Sequence, residues 1–373
     1  MSFTPFDLER IQSVWEQQVD YNLTESGVHP IRLDELLGGD EVKLAGLLAT
    51  EINYPHVNGT PELRENIARL YGGAGVENVL VTVGAAEANN VVMQTLLEPG
   101  DELVTQTPTY KQVWGLALNA GHVVRPFHMR ADAGWALDLA DLHAQVNRNT
   151  RIVAVCNPNN PTGYIMTEAE MDAVVAAADR AGAWILADEV YRGAERLREA
   201  ETPSFFGRYD KVVAIGSMSK AYGLPGLRVG WVVGPPDTVE DVWRRHEYTT
   251  ITATMLSNLL AAHALSPSVR PRLIGRTRQY IRNGFPVLER WMQHQDGLFS
   301  YTPPQASAVS FVRYHLDINS TELMARLCRD AGVFVGAGDS FGVDRHLRIA
   351  FGQEETVLTE AFARIQKTLE ALA

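Results

Sequence analysis

Lys211-Val212-Val213-Ala214-Ile215-Gly216-Ser217-Met218-Ser219-Lys220-Ala221-Tyr222-Gly223-Leu224-Pro225-Gly226-Leu227-Arg228 is the stretch on which the fold turns. Its first half is a β-branched apolar run that reads as a buried strand, and its second half is a turn of small and hydroxyl residues around one lysine. An amine becomes a nucleophile when burial and nearby cations lower its pKa, and Arg228 supplies such a cation downstream of Lys220. Ser217, Ser219 and the glycines leave room for a phosphate to approach the backbone. Most lysines are simply solvated, so the imine-forming reading of Lys220 depends on what the rest of the chain provides.

Working outward, short β-branched runs alternate with amphipathic stretches. Residues 78–83, 102–105, 151–155, 184–187, 212–215 and 229–233 read as buried strands. Helical patterns fall between them at Glu87 to Leu97 and Glu168 to Ala181, the latter with Thr167 as N-cap and Glu170 at N3 in a capping box. This alternation predicts an α/β fold, a mostly parallel sheet covered by helices on both faces, with ligands where the strands end. From about Thr250 the texture shifts to longer helices, followed by strands at residues 308–312 and 346–351.

At 373 residues the chain exceeds the size of one core, which predicts two domains sharing a cleft. The 33 basic against 45 acidic residues, net −12, argue against nucleic acid or an anionic membrane as partner. Cys156 and Cys328 are the only cysteines and neither sits in a Cys/His cluster, so no disulfide framework and no metal site is expected. Cys156 reads as a small core residue. The N-terminus, Met1-Ser2-Phe3-Thr4-Pro5-Phe6-Asp7, has no basic segment leading into an apolar one, and the expected location is cytoplasmic.

Three further segments complete a pattern in chain order. Gly84-Ala85-Ala86-Glu87 joins a strand to a helix, where small side chains let N–H groups and the positive helix end face a phosphate. Asn157-Pro158-Asn159-Asn160-Pro161-Thr162-Gly163 and Ala187-Asp188-Glu189-Val190-Tyr191 each follow a buried strand. Each alone has an ordinary reading as connection, turn or cap chemistry. Together with Lys220 they resemble the class I/II aminotransferases, fold-type I pyridoxal 5'-phosphate enzymes, and the resemblance runs from about Tyr54 to Gly352.

That resemblance implies a large domain, residues 45–260, with a mostly parallel seven-stranded sheet. A smaller α+β domain, residues 1–44 and 261–373, closes the cleft. It implies a Schiff base between Lys220 and the cofactor, with Lys220 then acting as general base. Asp188 keeps the ring nitrogen protonated, Tyr191 and Asn160 hydrogen-bond the ring oxygen, and Tyr110 stacks on the ring. Gly84, Ala85, Ala86, Ser217, Ser219 and Arg228 hold the phosphate. Most members have Thr or Ser where Ala86 stands, so one phosphate contact is expected to be missing. Tyr54, beside Gly59, matches a tyrosine that reaches the phosphate of the neighbouring subunit, which implies a homodimer with shared active sites. Arg348 matches the arginine that grips the substrate α-carboxylate in a bidentate fork.

The shared residues leave the reaction open. Transamination of an L-α-amino acid, the commonest activity of the family, is the leading expectation. Thr24-Glu25-Ser26-Gly27-Val28-His29 departs from the usual Gly-Glu-Pro-like turn and looks like the branch containing capreomycidine synthase, which dehydrates and cyclises a hydroxyarginine. On that alternative, a carbon–oxygen lyase or cyclase, Glu25 pairs with a guanidinium and His29 protonates a leaving hydroxyl, with Gly27 and Asn160 also on the substrate side. Pro304-Gln305-Ala306-Ser307 is a second departure expected near the substrate. The third reading is a sensor that binds the cofactor without turnover. Chains of that kind carry a DNA-binding helix-turn-helix ahead of the fold, for which about fifty residues before Tyr54 are too few.

Overall fold

A computed structural model describes residues 3–372; Met1 and Ser2 of the N-terminal stretch read above, and Ala373, lie outside the described residues. In chain order the first strands are β1 (Tyr21–Asn22), β2 (Val79–Thr82), β3 (Glu102–Thr107), β4 (Val123–Arg130), β5 (Ala136–Leu137), β6 (Thr150–Cys156) and β7 (Trp184–Asp188). They are followed by β8 (Val212–Ser217), β9 (Gly230–Val233), β10 (Phe299–Tyr301), β11 (Val309–Tyr314), β12 (Val333–Phe334), β13 (Gly336–Ala337) and β14 (His346–Ala350).

The large sheet runs β2-β9-β8-β7-β6-β3-β4-β5. Strands β8, β7, β6, β3 and β4 are parallel, and β9 is antiparallel to both of its neighbours. The expected seven strands are all present, and the two-residue β5 adds an antiparallel eighth at the edge. Side chains of one strand alternate between two cores. Ile152 and Ala154 pack on one face with Leu186, Ile215 and the helix Gly84–Leu96, while Val153 and Val155 pack on the other with Ile185, Ala187 and the helix Glu168–Ala181. Burial on both faces is why these strands read as continuous apolar runs.

Strand β4 is absent from the sequence reading because Pro126 interrupts it and only Phe127 and Met129 of its residues are buried. Its pairing explains the proline: β4 lies near the sheet edge, where only Met129 and Arg130 bond the short β5 and the loss of one N–H is harmless. The helix Glu168–Ala181 begins at Thr167 with the expected capping box and ends at Gly182 in the left-handed conformation. The helix predicted from Glu87 starts earlier, at Gly84. There the Glu87 carboxylate accepts the Val83 N–H at 2.6 Å and caps the extra turn.

Register brings the functional ends together. Cys156 pairs with Asp188 and Asp188 with Ile215, so the parallel strands β6, β7 and β8 all finish at one edge. Beyond that edge stands a four-stranded antiparallel sheet, β10-β11-β14-β13, packed against the long helix Arg270–Gln293. The N-terminal segment joins it through β1, which pairs in parallel with β12. Among the described residues no helix is long and apolar enough to cross a membrane.

One buried ion pair fastens the long helix to the loop beyond β7. Glu195, fully buried, accepts from the Gly193 and Thr202 N–H groups, the Thr202 hydroxyl and Arg278, whose guanidinium lies 2.5 Å away. Removing Glu195 leaves Arg278 with only the exposed Glu199 carboxylate, 3.3 Å away, as counter-charge, so the cost falls at or below the roughly 3–5 kcal/mol of a fully stranded buried charge. Glu195→Ala is therefore expected to lower unfolding stability by up to about 3 kcal/mol in urea titrations, and an unchanged midpoint would contradict the assignment.

Candidate active site

A cavity of about 380 Å³ opens where β6, β7 and β8 end, and Lys220 and Asp188 both line it. The loop after β8 is folded by its own hydroxyls. The Ser219 N–H donates to Ser217 Oγ at 3.0 Å, Ser217 Oγ donates to Ser219 Oγ at 3.0 Å, and Arg228 reaches Ser219 Oγ at 3.3 Å. Arg228 itself adopts φ +49°, which turns its side chain back across the loop onto Gly84. Gly84 has φ +76°, and any side chain there would meet the Arg228 guanidinium. Ala85 and Ala86 follow at the start of the helix Gly84–Leu96 and line the same cavity, so N–H groups, two serine hydroxyls and one guanidinium converge as an anion cup.

Burial shapes both titratable groups. It lowers the Lys220 pKa, with Glu25 opposing and Arg348 and Arg228 adding to the effect. It raises Asp188 to about 6, against a hydrogen bond from the Val190 N–H at 3.2 Å and the opposing charge of Lys220. Neither forms an ion pair among the described residues. Tyr191 is buried, and its hydroxyl, beside Ser26, has no hydrogen-bond partner of normal geometry among the described residues.

Arg348, on β14 and 2% exposed, is held at two of its three nitrogens. It donates to Asn160 Oδ1 at 3.0 Å and to the Thr24 carbonyl at 2.8 Å, leaving Nε buried without a partner. Asn160 is thereby fixed at the end of a turn in which Asn159 Oδ1 accepts from both the N–H and the hydroxyl of Thr162. The Pro304-Gln305-Ala306-Ser307 loop does not line the cavity; Gln305 and Ala306 donate to the Gly163 carbonyl and brace that turn from outside.

Not every expected residue arrives at the cavity. Glu25 lines it, and Gly27 packs on the Lys220 backbone, but the His29 ring is exposed, 6.1 Å from Tyr280 and 3.3 Å from Gln353. The backbone of His29 is held from outside, by the Gly352 carbonyl and by Arg276, which directs the ring to the surface. Tyr54 is 80% exposed and stands apart from the cavity of its own chain. Cys156 is a buried core residue whose thiol donates to the Pro158 carbonyl, with its pKa raised by burial.

The sequence reading missed one whole wall. Leu8, Glu9, Gln12, Ser13 and Glu16 of the N-terminal segment cover the cavity along one face of the helix Asp7–Trp15 and its end. Tyr110 donates to Glu9 at 2.6 Å and packs on Phe6 at 4.9 Å, while Gln12 donates to the Thr24 hydroxyl at 3.1 Å. Only the spacing of Glu9, Gln12 and Glu16 on one helical face could have signalled this wall.

Residues 40–365 match the family described as aminotransferase class I and II. The chain belongs to that family. A capreomycidine synthase of Streptomyces vinaceus is 32% identical over 364 residues, covering 94% of this chain and 90% of that protein. The crystal structure of a pyridoxal phosphate-dependent aminotransferase from Streptococcus suis superposes with TM-score 0.94 at 30% identity, covering 100% of this chain and 99% of that one. That of the cyclase OrfR superposes with TM-score 0.89 at 26% identity, again covering 100% and 99%. The cofactor of an aminotransferase of this family is pyridoxal 5'-phosphate, and the site fits it: an amine and a carboxylate share one cavity, an orphaned Tyr191 hydroxyl faces them, and an anion cup lies alongside.

The raised pKa of Asp188 has a consequence for the cofactor-free protein. A carboxyl whose pKa is higher folded than unfolded destabilises the fold once it ionises. The penalty is absent below the ordinary carboxylate range and complete above about pH 6. Asp188→Asn is expected to be more stable than the wild type at about pH 7.5, with most of that advantage gone at about pH 4. Urea unfolding at both pH values checks this; a difference independent of pH would contradict it.

Proposed function

We propose that this protein is a pyridoxal 5'-phosphate-dependent aminotransferase acting on an L-α-amino acid, with Lys220 as the covalent anchor of the cofactor. The observation that carries the reading is the unpaired placement of Lys220 and Asp188 in one cavity whose wall includes Arg348 with a free buried nitrogen. When bound, the cofactor supplies a carbonyl carbon and a ring that accepts electrons. Asp188 would hold the proton on the ring nitrogen, Tyr191 and Asn160 would address the ring oxygen, and Tyr110, locked by Glu9, would lie against the ring. Ala85, Ala86, Ser217, Ser219 and Arg228 would hold the phosphate. Arg348 would take the substrate carboxylate and orient the α-carbon. Lys220 Nζ, its basicity lowered by burial, would accept the α-proton and return it.

The same reading includes a two-part chain, residues 45–260 carrying the cofactor and residues 1–44 with 261–373 closing over it. The helix Met255–Leu265 crosses that division, so the junction is a rigid element and not a linker. It also includes a cytoplasmic homodimer. Val42, Leu48, Ile52, Tyr54 and Tyr248 are each at least 79% exposed, a set of large apolar side chains suited to a partner surface, from which Tyr54 would reach the other subunit's phosphate.

A second reading, a lyase or cyclase acting on a hydroxylated arginine, is favoured by one feature. Glu9, Glu16 and Glu25 line the cavity, and with Arg348 and Arg228 engaged by carboxylate and phosphate they leave the remainder negative, suited to a cationic side chain. Similarity to a capreomycidine synthase and to a cyclase supports it; the outward His29 removes the expected proton donor.

Purified protein is expected to carry a visible absorption band that Lys220→Ala abolishes. Arginine, its hydroxylated forms and neutral amino acids, each offered with and without a 2-oxo acid, separate the readings. Amino acid formed only with the oxo acid supports transamination, and product without an acceptor supports the cyclase. Absence of any visible band in the wild type reconstituted with cofactor would overturn both.

A further inference from the structure

A second cavity, of about 20 Å³, shares Asn89, Tyr110, Gln112, Cys156 and Asp188 with the first and adds Thr105 and Thr109. That is room for one water molecule, which needs roughly 10–15 Å³ and two to four polar partners. Asn89 is 3% exposed, and its Oδ1 is buried with no hydrogen-bond partner among the described residues.

The orientation of this amide is fixed by a chain of bonds. Gln112 Nε2 donates to the Ala86 carbonyl at 2.8 Å, so Gln112 Oε1 must be the atom that accepts from Asn89 Nδ2 at 3.0 Å. Reversing either amide sets two acceptors or two donors against one another. Asn89 Oδ1 is thus an acceptor in need of a donor. Asp188 is in the same position, since the Val190 N–H is the one hydrogen bond to its carboxylate among the described residues and a carboxylate has about four lone-pair sites.

Two acceptors on one small cavity are satisfied together only by a group that donates twice. We propose that a single water molecule donates to both Asn89 Oδ1 and the Asp188 carboxylate and accepts from Thr105 or Thr109, which makes Asn89 a positioning residue that keeps Asp188 ionised. The other groups acting on Asp188 are fixed around it. Glu189 on its own strand end opposes ionisation, Lys220 from the loop after β8 favours it, and the Cys156 thiol on β6 stays neutral. The helix Gly84–Leu96 carries one charged side chain, Glu87, whose carboxylate is turned to Val83, Thr249, Thr250 and His246 and is not among the groups that act on Asp188. This inference rests on the reading of Asp188 as partner of the cofactor ring nitrogen, yet its test can be made without cofactor.

In cofactor-free protein labelled with ¹³C at aspartate carboxyls, with the Asp188 signal assigned through Asp188→Asn, the titration midpoint of Asp188 is expected to rise by roughly one pH unit in Asn89→Leu. The double variant Thr105→Val/Thr109→Val, which removes either donor to the water, shifts it the same way by less. Gln112→Ala, which removes the bond that fixes the Asn89 amide and lets it reverse, also shifts it the same way by less. An unchanged midpoint in Asn89→Leu overturns the proposal. Should that variant fail to fold, the double threonine variant and a high-resolution crystal structure decide. Density within hydrogen-bond distance of both Asn89 Oδ1 and Asp188 supports the bridge, and its absence overturns it. If Asp188→Asn keeps an unaltered cofactor spectrum, the functional reading of Asp188 fails while the titration still tests the bridge.

Discussion

An amine and a carboxylate are held in the same cavity without being allowed to pair, and the rest of the site depends on that separation. Burial penalises the charged form of each, lowering the pKa of Lys220 and raising that of Asp188 to about 6, and a direct ion pair would relieve both at once. The sheet prevents it. Asp188 is the last residue of β7 and Lys220 lies three residues past β8, and the parallel register fixes how far apart the two strand ends stand. On the proposed function, a bound ring with a nitrogen at one end and a carbonyl carbon at the other would satisfy both groups where neither satisfies the other.

Arg348 ties the remaining parts to this frame. Its guanidinium joins β14, the Asn160 turn after β6 and the Thr24 carbonyl of the N-terminal segment. Gln12 extends the same path from Thr24 into the helix that covers the cavity, and Glu9 returns it to Tyr110 beside the large sheet. The N-terminal wall of the cavity is therefore hydrogen-bonded, through Thr24, to Arg348. On the proposed function, substrate choice and substrate orientation would share this one network.

What was legible in the sequence was what is local. The strand-then-turn segments around Gly84, Asn157, Asp188 and Lys220 each carry their own signal, and the Thr167 capping box is complete within four residues. Six strands announced themselves by being apolar on both faces. Strand β4 did not, because near the sheet edge Pro126 costs little and only two of its residues, Phe127 and Met129, are buried. The N-terminal helix escaped for a different reason: nothing local to Glu9 says that it meets Tyr110, about a hundred residues away in sequence, and only tertiary packing supplies that partner. Glu25 and His29 were read as a pair from one short segment, but backbone bonds to Gly352 and Arg276 send the histidine outward while the glutamate keeps the cavity side.

The most direct measurement is chemical capture of the cofactor on the protein. Holoenzyme reduced with borohydride, digested and mapped by mass spectrometry should carry the pyridoxyl phosphate mass on one lysine, in the peptide containing Lys220. The same mass on Lys211, Lys111 or no lysine at all would contradict the account.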